Sequence, residues 1–236
     1  MKRTAIITGG TKGLGREIAL AFGRAGYCVI ALYSSDTIAA QELAEVLSVA
    51  KMSGLVLRHD VRSDELSLWS RPEIQGADSL TLVNNACAAF SPKPMHLLCW
   101  DDFENNFLVA VKGAWSCTQP LIRLMIKKGQ GSIVNVLTSA LEGAPPKGFA
   151  AYLTAKYALQ GFTLALAAEY AARDIKIFSV SPGYMETPLT AQWDLRLRET
   201  IRENSSRITN PAEAAGRIVD LVENIEVPGK GENYPI

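Results

Sequence analysis

Apolar residues recur along this chain in two alternating rhythms. Short runs dominated by Ile, Val, Leu and aromatic residues fall at Thr4–Thr8, Tyr27–Tyr33, Leu55–Arg58, Leu80–Val83, Ser132–Leu137 and Lys176–Val180. Their length and β-prone composition predict strands. Between them apolar positions return at helical spacing. This predicts helices from Leu14 to about Ala25, over Ile38–Ala50 and Asp64–Ile74, from Trp100 to about Ile126, and over Tyr152–Ala171. Strands alternating with helices imply a doubly wound α/β fold, a parallel sheet with helices on both faces. No repeat, low-complexity tract or linker interrupts the pattern, so one domain is expected over residues 1–236.

Composition narrows the function classes. Lys+Arg and Asp+Glu balance at 24 each, which leaves no global field to draw the chain to nucleic acid or a membrane surface. The apolar run after Met1-Lys2-Arg3 is too short for a signal-peptide core, and no stretch approaches the roughly 20 apolar residues of a spanning helix. Cys28, Cys87, Cys99 and Cys117 are scattered without a C-x-x-C pair, the pattern of reduced, packed thiols in a cytoplasmic protein. His59 and His96 are the only histidines and no metal-ligand spacing occurs, so no metal site is expected.

Two motifs carry chemistry. Thr8-Gly9-x-x-x-Gly13-x-Gly15 lies between the first strand and the first helix, the context of a phosphate-binding loop. Glycines let the backbone approach a pyrophosphate, and the helix N-terminus adds amide donors and partial positive charge. A tight strand-to-helix turn with no ligand is the other reading of that spacing. Further on, Tyr152 and Lys156 are four residues apart, on one helix face. A cation one turn from a phenol favours the phenolate and lowers its pKa, making Tyr152 a usable general acid or base.

With these positions set out, the chain resembles the short-chain dehydrogenase/reductase family over nearly its whole length. The motifs follow the family's order: Thr8-Gly9, Gly13-Leu14-Gly15, Asp60-Val61, Asn84-Asn85-Ala86, Ser139, Tyr152, Lys156, then Pro182-Gly183 and Thr187. The resemblance implies a Rossmann-type sheet and a nicotinamide cofactor. Gly9, Gly13 and Gly15 would hold the pyrophosphate region, with Thr11, Lys12 and Leu14 among the further cofactor contacts, and Asp60 and Val61 would border the adenine. Asn84 and Ala86 would flank its ribose, and Pro182, Gly183 and Thr187 would meet the nicotinamide. Ser139 would bind the substrate carbonyl and Tyr152 would exchange a proton. Lys156 would bind the nicotinamide ribose and tune Tyr152. The protein supplies position and a proton while the cofactor carries the redox chemistry.

Three departures from the family stand out. Its helix asparagine is replaced by Ala110, three residues before Gly113, and Asn106 one turn earlier is expected to take over through a water. Cys87 stands where Asn-Asn-Ala-Gly would carry glycine. Glu232–Ile236 reads as a last strand that ends early, short of the family's Gly-Gly tail, which makes a dimer the easier expectation than a tetramer. The second strand ends in Tyr33-Ser34-Ser35 with Asp36 one step late. Ser34 and Ser35 with Lys12 therefore favour NADP(H) over NAD(H).

Tyr184–Arg207 is expected to form a substrate lid with Met185, Leu189, Trp193, Leu195 and Leu197 as its apolar lining, opposite a wall at Ala88–Met95. Within the family the chain is most similar to 3-oxoacyl-[acyl-carrier-protein] reductases and polyketide ketoreductases. That implies reduction of a 3-oxoacyl thioester, with Lys127, Lys128 and Arg173 as a basic patch for an acidic carrier protein. An alcohol, sugar or polyol dehydrogenase is the alternative enzyme, and a cofactor-binding regulator without turnover is the alternative of another class. Ala155, Ala158, Gly161 and Ala165 form a small-residue face suited either to a homo-oligomer contact or to the protein's own sheet.

Overall fold

From Thr4 to Ile7 every residue of the first strand is 2% exposed or less, so the run has no solvent face. That is the signature of a strand inside a parallel sheet covered on both sides. In the computed structural model, which describes residues 1–205, 207–224 and 229–236, this strand is the centre of the fold. Strands β1 (Arg3–Thr8), β2 (Cys28–Tyr33), β3 (Gly54–Arg58), β4 (Ser79–Asn84), β5 (Gly131–Val136), β6 (Ile175–Ser181) and β7 (Lys230–Pro235) form one sheet. All neighbours are parallel, in the order β3-β2-β1-β4-β5-β6-β7.

One apolar layer joins α1 (Gly13–Arg24), α2 (Thr37–Val49) and α9 (Pro211–Glu223) to the sheet through Ile18, Phe22, Leu43 and Ile218. The other face carries α3 (Pro72–Gln75), α5 (Gly113–Lys128) and α6 (Ala150–Glu169), with Ile74, Cys117, Leu121 and Ala167 packed on Ile6, Leu80 and Ile177. Fully burying each such Leu or Ile contributes roughly 1.5–3 kcal/mol. The chain builds β1, β2 and β3 outward, then crosses back to β4 on the other side of β1. A crevice opens at such a switch point, beyond the carboxyl ends of β1 and β4.

The expected strands and most helices are present within a residue or two. Asp64–Ile74 is not one helix: a 3₁₀ turn at Ser67–Ser70 and α3 are separated by Arg71 in extended conformation (ψ 142°). Pro72 causes the break, because its ring excludes the helical conformation from the preceding residue. The long helix from Trp100 is three pieces: α4 (Trp100–Phe107), a π-helical turn at Leu108–Lys112, and α5. Helix α9 was outside the expected set, although Asn210 accepts from the Ala212 and Glu213 amides and Pro211 takes the first position. Between β6 and α9 lie two short helices, α7 (Pro188–Ala191) and α8 (Leu195–Glu203), and position 206 of the expected lid lies outside the described residues. On α6 the small residues divide: Ala155 is buried, whereas Gly161 and Ala165 are exposed beside Tyr157 and Leu164.

Candidate active site

The Gly-rich turn after β1 is built by close approach. Gly9 and Gly13 adopt positive φ (60° and 52°), a region open to glycine at no steric cost. A side chain at Gly9 would meet the Ala86 backbone at 3.1 Å, and one at Gly15 would run into the Gly9 carbonyl. The turn is tied to β4 by Thr8, whose Oγ1 accepts from the amides of Asn85 and Ala86 (both 3.0 Å), and by Asn85, whose Nδ2 donates to the Thr8 and Gly9 carbonyls. Lys12 is the N-cap of α1 and provides no side-chain cap, so the first amides of that helix remain free for an anion.

A cavity of about 1210 Å³ runs from this turn across the ends of the strands. Every expected cofactor and catalytic position lines it except Asn84: from Gly9, Thr11 and Ser34 at one end, through Asp60 and Ala86, to Ser139, Tyr152, Lys156 and Thr187 at the other. Asn84 points into the fold, where its Nδ2 donates to Asn135 Oδ1 (2.8 Å) and Asn135 passes the chain on to Thr163. Its side chain ties β4 to β5, and Asn85 takes the cavity wall instead. Of the expected lid lining, Met185, Leu189, Trp193 and Leu197 face the cavity; Leu195 opens α8 and is 65% exposed. On the opposite wall Ala88, Ala89 and Phe90 face it, while Met95 is exposed.

At the far end Ser139 is fixed by its own amide, which donates to the Pro182 carbonyl (2.8 Å). Lys156 is 3% exposed; its Nζ donates to the Val136 carbonyl at 2.6 Å and lies 5.7 Å from the centre of the Tyr152 ring. The pair therefore meets as the helix spacing requires, but the electrostatics differ from expectation. Burial pushes the Tyr152 phenol well up from its ordinary value; Cys87 adds to the rise and a hydrogen bond with the Thr138 side chain opposes it. Burial also pulls Lys156 down, which weakens the cation that was expected to lower Tyr152. The Cys87 thiol is raised by burial and lowered by Lys156, so the residue in the glycine's place touches both partners electrostatically.

Ala110 sits buried within the π-helical turn, so the irregularity persists without an asparagine side chain. Asn106 is 5% exposed, donates to the Asp102 carbonyl (2.8 Å), and shares a second cavity of about 240 Å³ with Tyr152. Of the expected basic patch, Lys127 and Arg173 are exposed, while the Lys128 ammonium donates to the Gln75 and Ala77 carbonyls. Phe149 and Thr138 stand outside every expected site or wall, and Asn85 and Phe90, although within the expected motif and wall, had no role of their own there; all four line the cavity.

The family profile described as short chain dehydrogenase matches residues 3–197. The chain belongs to this family. Among curated short-chain dehydrogenases, the 3-oxoacyl-[acyl-carrier-protein] reductase FabG of Pseudomonas aeruginosa is 32% identical over 203 residues, covering 84% of this chain and 80% of that protein. The uncharacterized oxidoreductase YohF of Escherichia coli K12 is 31% identical over 204 residues, 82% of this chain and 77% of its own. A solved structure from Beutenbergia cavernae superposes with a TM-score of 0.86 at 26% identity, covering 99% of this chain and 94% of the other. Its name proposes an NAD(P)-dependent gluconate 5-dehydrogenase, and it carries NADP at low occupancy. The chain is thus an oxidoreductase of the short-chain dehydrogenase fold, and no helix of its described residues is long and apolar enough to cross a membrane.

Proposed function

We propose that this short-chain dehydrogenase is an NADP(H)-dependent ketoreductase of the cytoplasm, acting on a 3-oxoacyl thioester. The observation that carries the reading is the meeting of Ser139, Tyr152 and Lys156 on the wall of the same cavity that the Gly-rich turn enters. The residues fit a dinucleotide: a turn open to close approach, free helix amides for the pyrophosphate, and a crevice spanning the sheet. When bound, the nicotinamide supplies the two-electron reducing equivalent to the carbonyl carbon. Ser139 donates a hydrogen bond to the carbonyl oxygen, and Tyr152 delivers its proton to that oxygen. A phenol holds its proton at neutral pH, and burial strengthens that hold on Tyr152, the state that reduction consumes. Lys156 binds the nicotinamide ribose hydroxyls, and Tyr184–Arg207 closes over the substrate.

NADP(H) selectivity rests on the end of β2. Asp36, the acid nearest the end of β2 in sequence, is committed to capping Ala39 (3.0 Å) and to pairing with Lys12 (2.9 Å). Ser34 and Ser35 line the cavity, and Arg58, whose Nε donates to the Ser34 carbonyl (3.1 Å), adds a second cation to Lys12. Asp36 and Asp60 are each paired with a cation, Lys12 and Arg62, and Arg58 adds a positive charge outside the cavity lining, a balance that favours a 2′-phosphate. The second reading, a polyol or sugar-acid dehydrogenase, draws on the gluconate 5-dehydrogenase named above. The test is NADPH oxidation with a short 3-oxoacyl thioester, with NADH in parallel and Tyr152→Phe beside wild type. Loss of a positioned general acid lowers turnover by roughly 10²- to 10⁴-fold. Undiminished turnover in the variant would remove Tyr152 from the reaction, and faster turnover with NADH would reverse the cofactor assignment.

A further inference from the structure

Three rings converge beside Tyr152 from three separate segments. Phe90, after β4, lies flat on the Tyr152 ring, with centroids 4.6 Å apart and planes within 11°. Phe149, immediately before α6, meets Phe90 edge-on at 5.3 Å and Tyr152 at 5.9 Å. Trp193, between α7 and α8, meets Phe90 at 5.3 Å and Phe149 at 5.6 Å, both edge-on. Edge-to-face and offset-stacked rings at these spacings attract one another beyond their burial, so the cluster holds its shape. All three rings line the cavity that holds Ser139 and Tyr152. The indole N–H is already committed, donating to the Phe90 carbonyl at 2.7 Å, so it is withdrawn from any ligand.

We infer that Phe90, Phe149 and Trp193 form a specificity wall for one substituent of the substrate carbonyl. It accepts a planar aromatic or compact alkyl group and disfavours a polyhydroxylated one. This inference deepens the ketoreductase reading and rests on it, since the wall adjoins the atoms that reading makes reactive. A carbonyl held by Ser139 and Tyr152 must place one of its two substituents against the rings. An aryl or alkyl group there replaces water by ring contacts. A hydroxylated carbon there loses its water partners and finds ring carbon and an occupied N–H in return. Phe90 is also a positioning residue, because its flat contact restrains the ring that carries the reacting phenol.

The experiment compares two probes with NADPH: an aryl 3-oxo thioester and a polyhydroxylated keto acid, each with wild type, Phe90→Leu and Trp193→Phe. An apolar pocket discriminates against one added hydroxyl by about 10²-fold, so wild type is expected to favour the aryl probe in kcat/KM by at least that factor. Phe90→Leu keeps apolar volume but loses the stack, and the preference should fall about tenfold. Equal use of the two probes, or preference for the keto acid, overturns the inference while leaving the reductase reading standing. Trp emission upon adding the aryl probe is a readout free of turnover. Quenching in wild type that Trp193→Phe lacks supports the wall even where neither probe is reduced, an outcome that would count against the ketoreductase alone. No quenching and no turnover with the aryl probe overturns both.

Discussion

Two helical glycines of this protein each have open space for a side chain and should respond oppositely to the same change. A methyl group built at Gly161 in α6 or at Gly216 in α9 meets no atom within 4 Å, and neither residue has positive φ. Inside a helix Gly→Ala restrains the unfolded chain, so each substitution should add about 0.5–1 kcal/mol to the isolated subunit. For a chain of this length that raises Tm by roughly 1–4 °C. The exposed face around Gly161 also carries Tyr157 and Leu164, 53% and 52% exposed, and continues through exposed Ala165 and Ala168. Large apolar residues flanking a smooth strip suit a second copy of this chain, and the family makes an oligomer the expectation. At a packed contact the added methyl overpacks and weakens association by roughly 1–3 kcal/mol, five- to 150-fold in Kd, and a two-fold interface counts it twice. Sedimentation equilibrium and calorimetry on both variants decide the matter. Gly216→Ala should keep its assembly and gain stability, whereas Gly161→Ala should dissociate more readily. A Gly161→Ala protein that gains the same few degrees and keeps its mass refutes the α6 interface.

The remaining predictions concern the two ends of the cavity. Arg58→Ala should weaken NADPH binding roughly tenfold, about 1.4 kcal/mol, and leave NADH binding unchanged; titration calorimetry with both cofactors checks this, and equal loss for both would remove Arg58 from 2′-phosphate recognition. Lys156→Met should abolish turnover yet stabilise the cofactor-free protein by about 1–2 kcal/mol at pH 7, since it removes a buried cation at the cost of one hydrogen bond to Val136. The folded pKa of Lys156 is lowered, so between that value and the ordinary lysine value of about 10.4 the unfolded chain binds more protons. Wild-type stability therefore rises with pH through this window and the gap to the variant closes, and urea unfolding below pH 10 that shows a constant gap would contradict the assignment.

What could be read from the sequence was what depends on near neighbours along the chain. Gly9, Gly13 and Gly15 between a strand and a helix, and Tyr152 one turn from Lys156, are local arrangements, and their spacing survives into the structure. Asn84 and Asn85 show where that stops. Asn84 ends β4 and Asn85 follows it, and which one meets the cavity depends on β4 lying between β1 and β5, a fact of sheet order. The rings of Phe90, Phe149 and Trp193 come from three segments, so no spacing foretells their meeting.

The sign of the Tyr152 shift is likewise set by distant segments, and it bears on how the cavity divides its work. Helix geometry supplies the lysine's Coulomb effect, while desolvation comes from residues far away in sequence, among them Phe90 stacked on the ring. Burial moves Tyr152 and Cys87 up and Lys156 down, so each of the three groups at the reacting end is pushed toward its neutral form. At the other end stand two ion pairs, Lys12–Asp36 and Arg62–Asp60, beside Ser34 and Ser35, whereas Glu142 and Lys147 on the loop after Ser139 add charge to the near rim. Ionic groups of a dinucleotide are met where charge is exposed and well hydrated. A neutral carbonyl is met where hydration has been stripped away and a single hydrogen bond or ring contact counts for more. Discrimination between substrates is thereby assigned to the wall around Tyr152, and discrimination between cofactors to the end of β2. Substitutions at Phe90 and Arg58 should therefore act independently, their effects on substrate and cofactor selectivity adding without coupling.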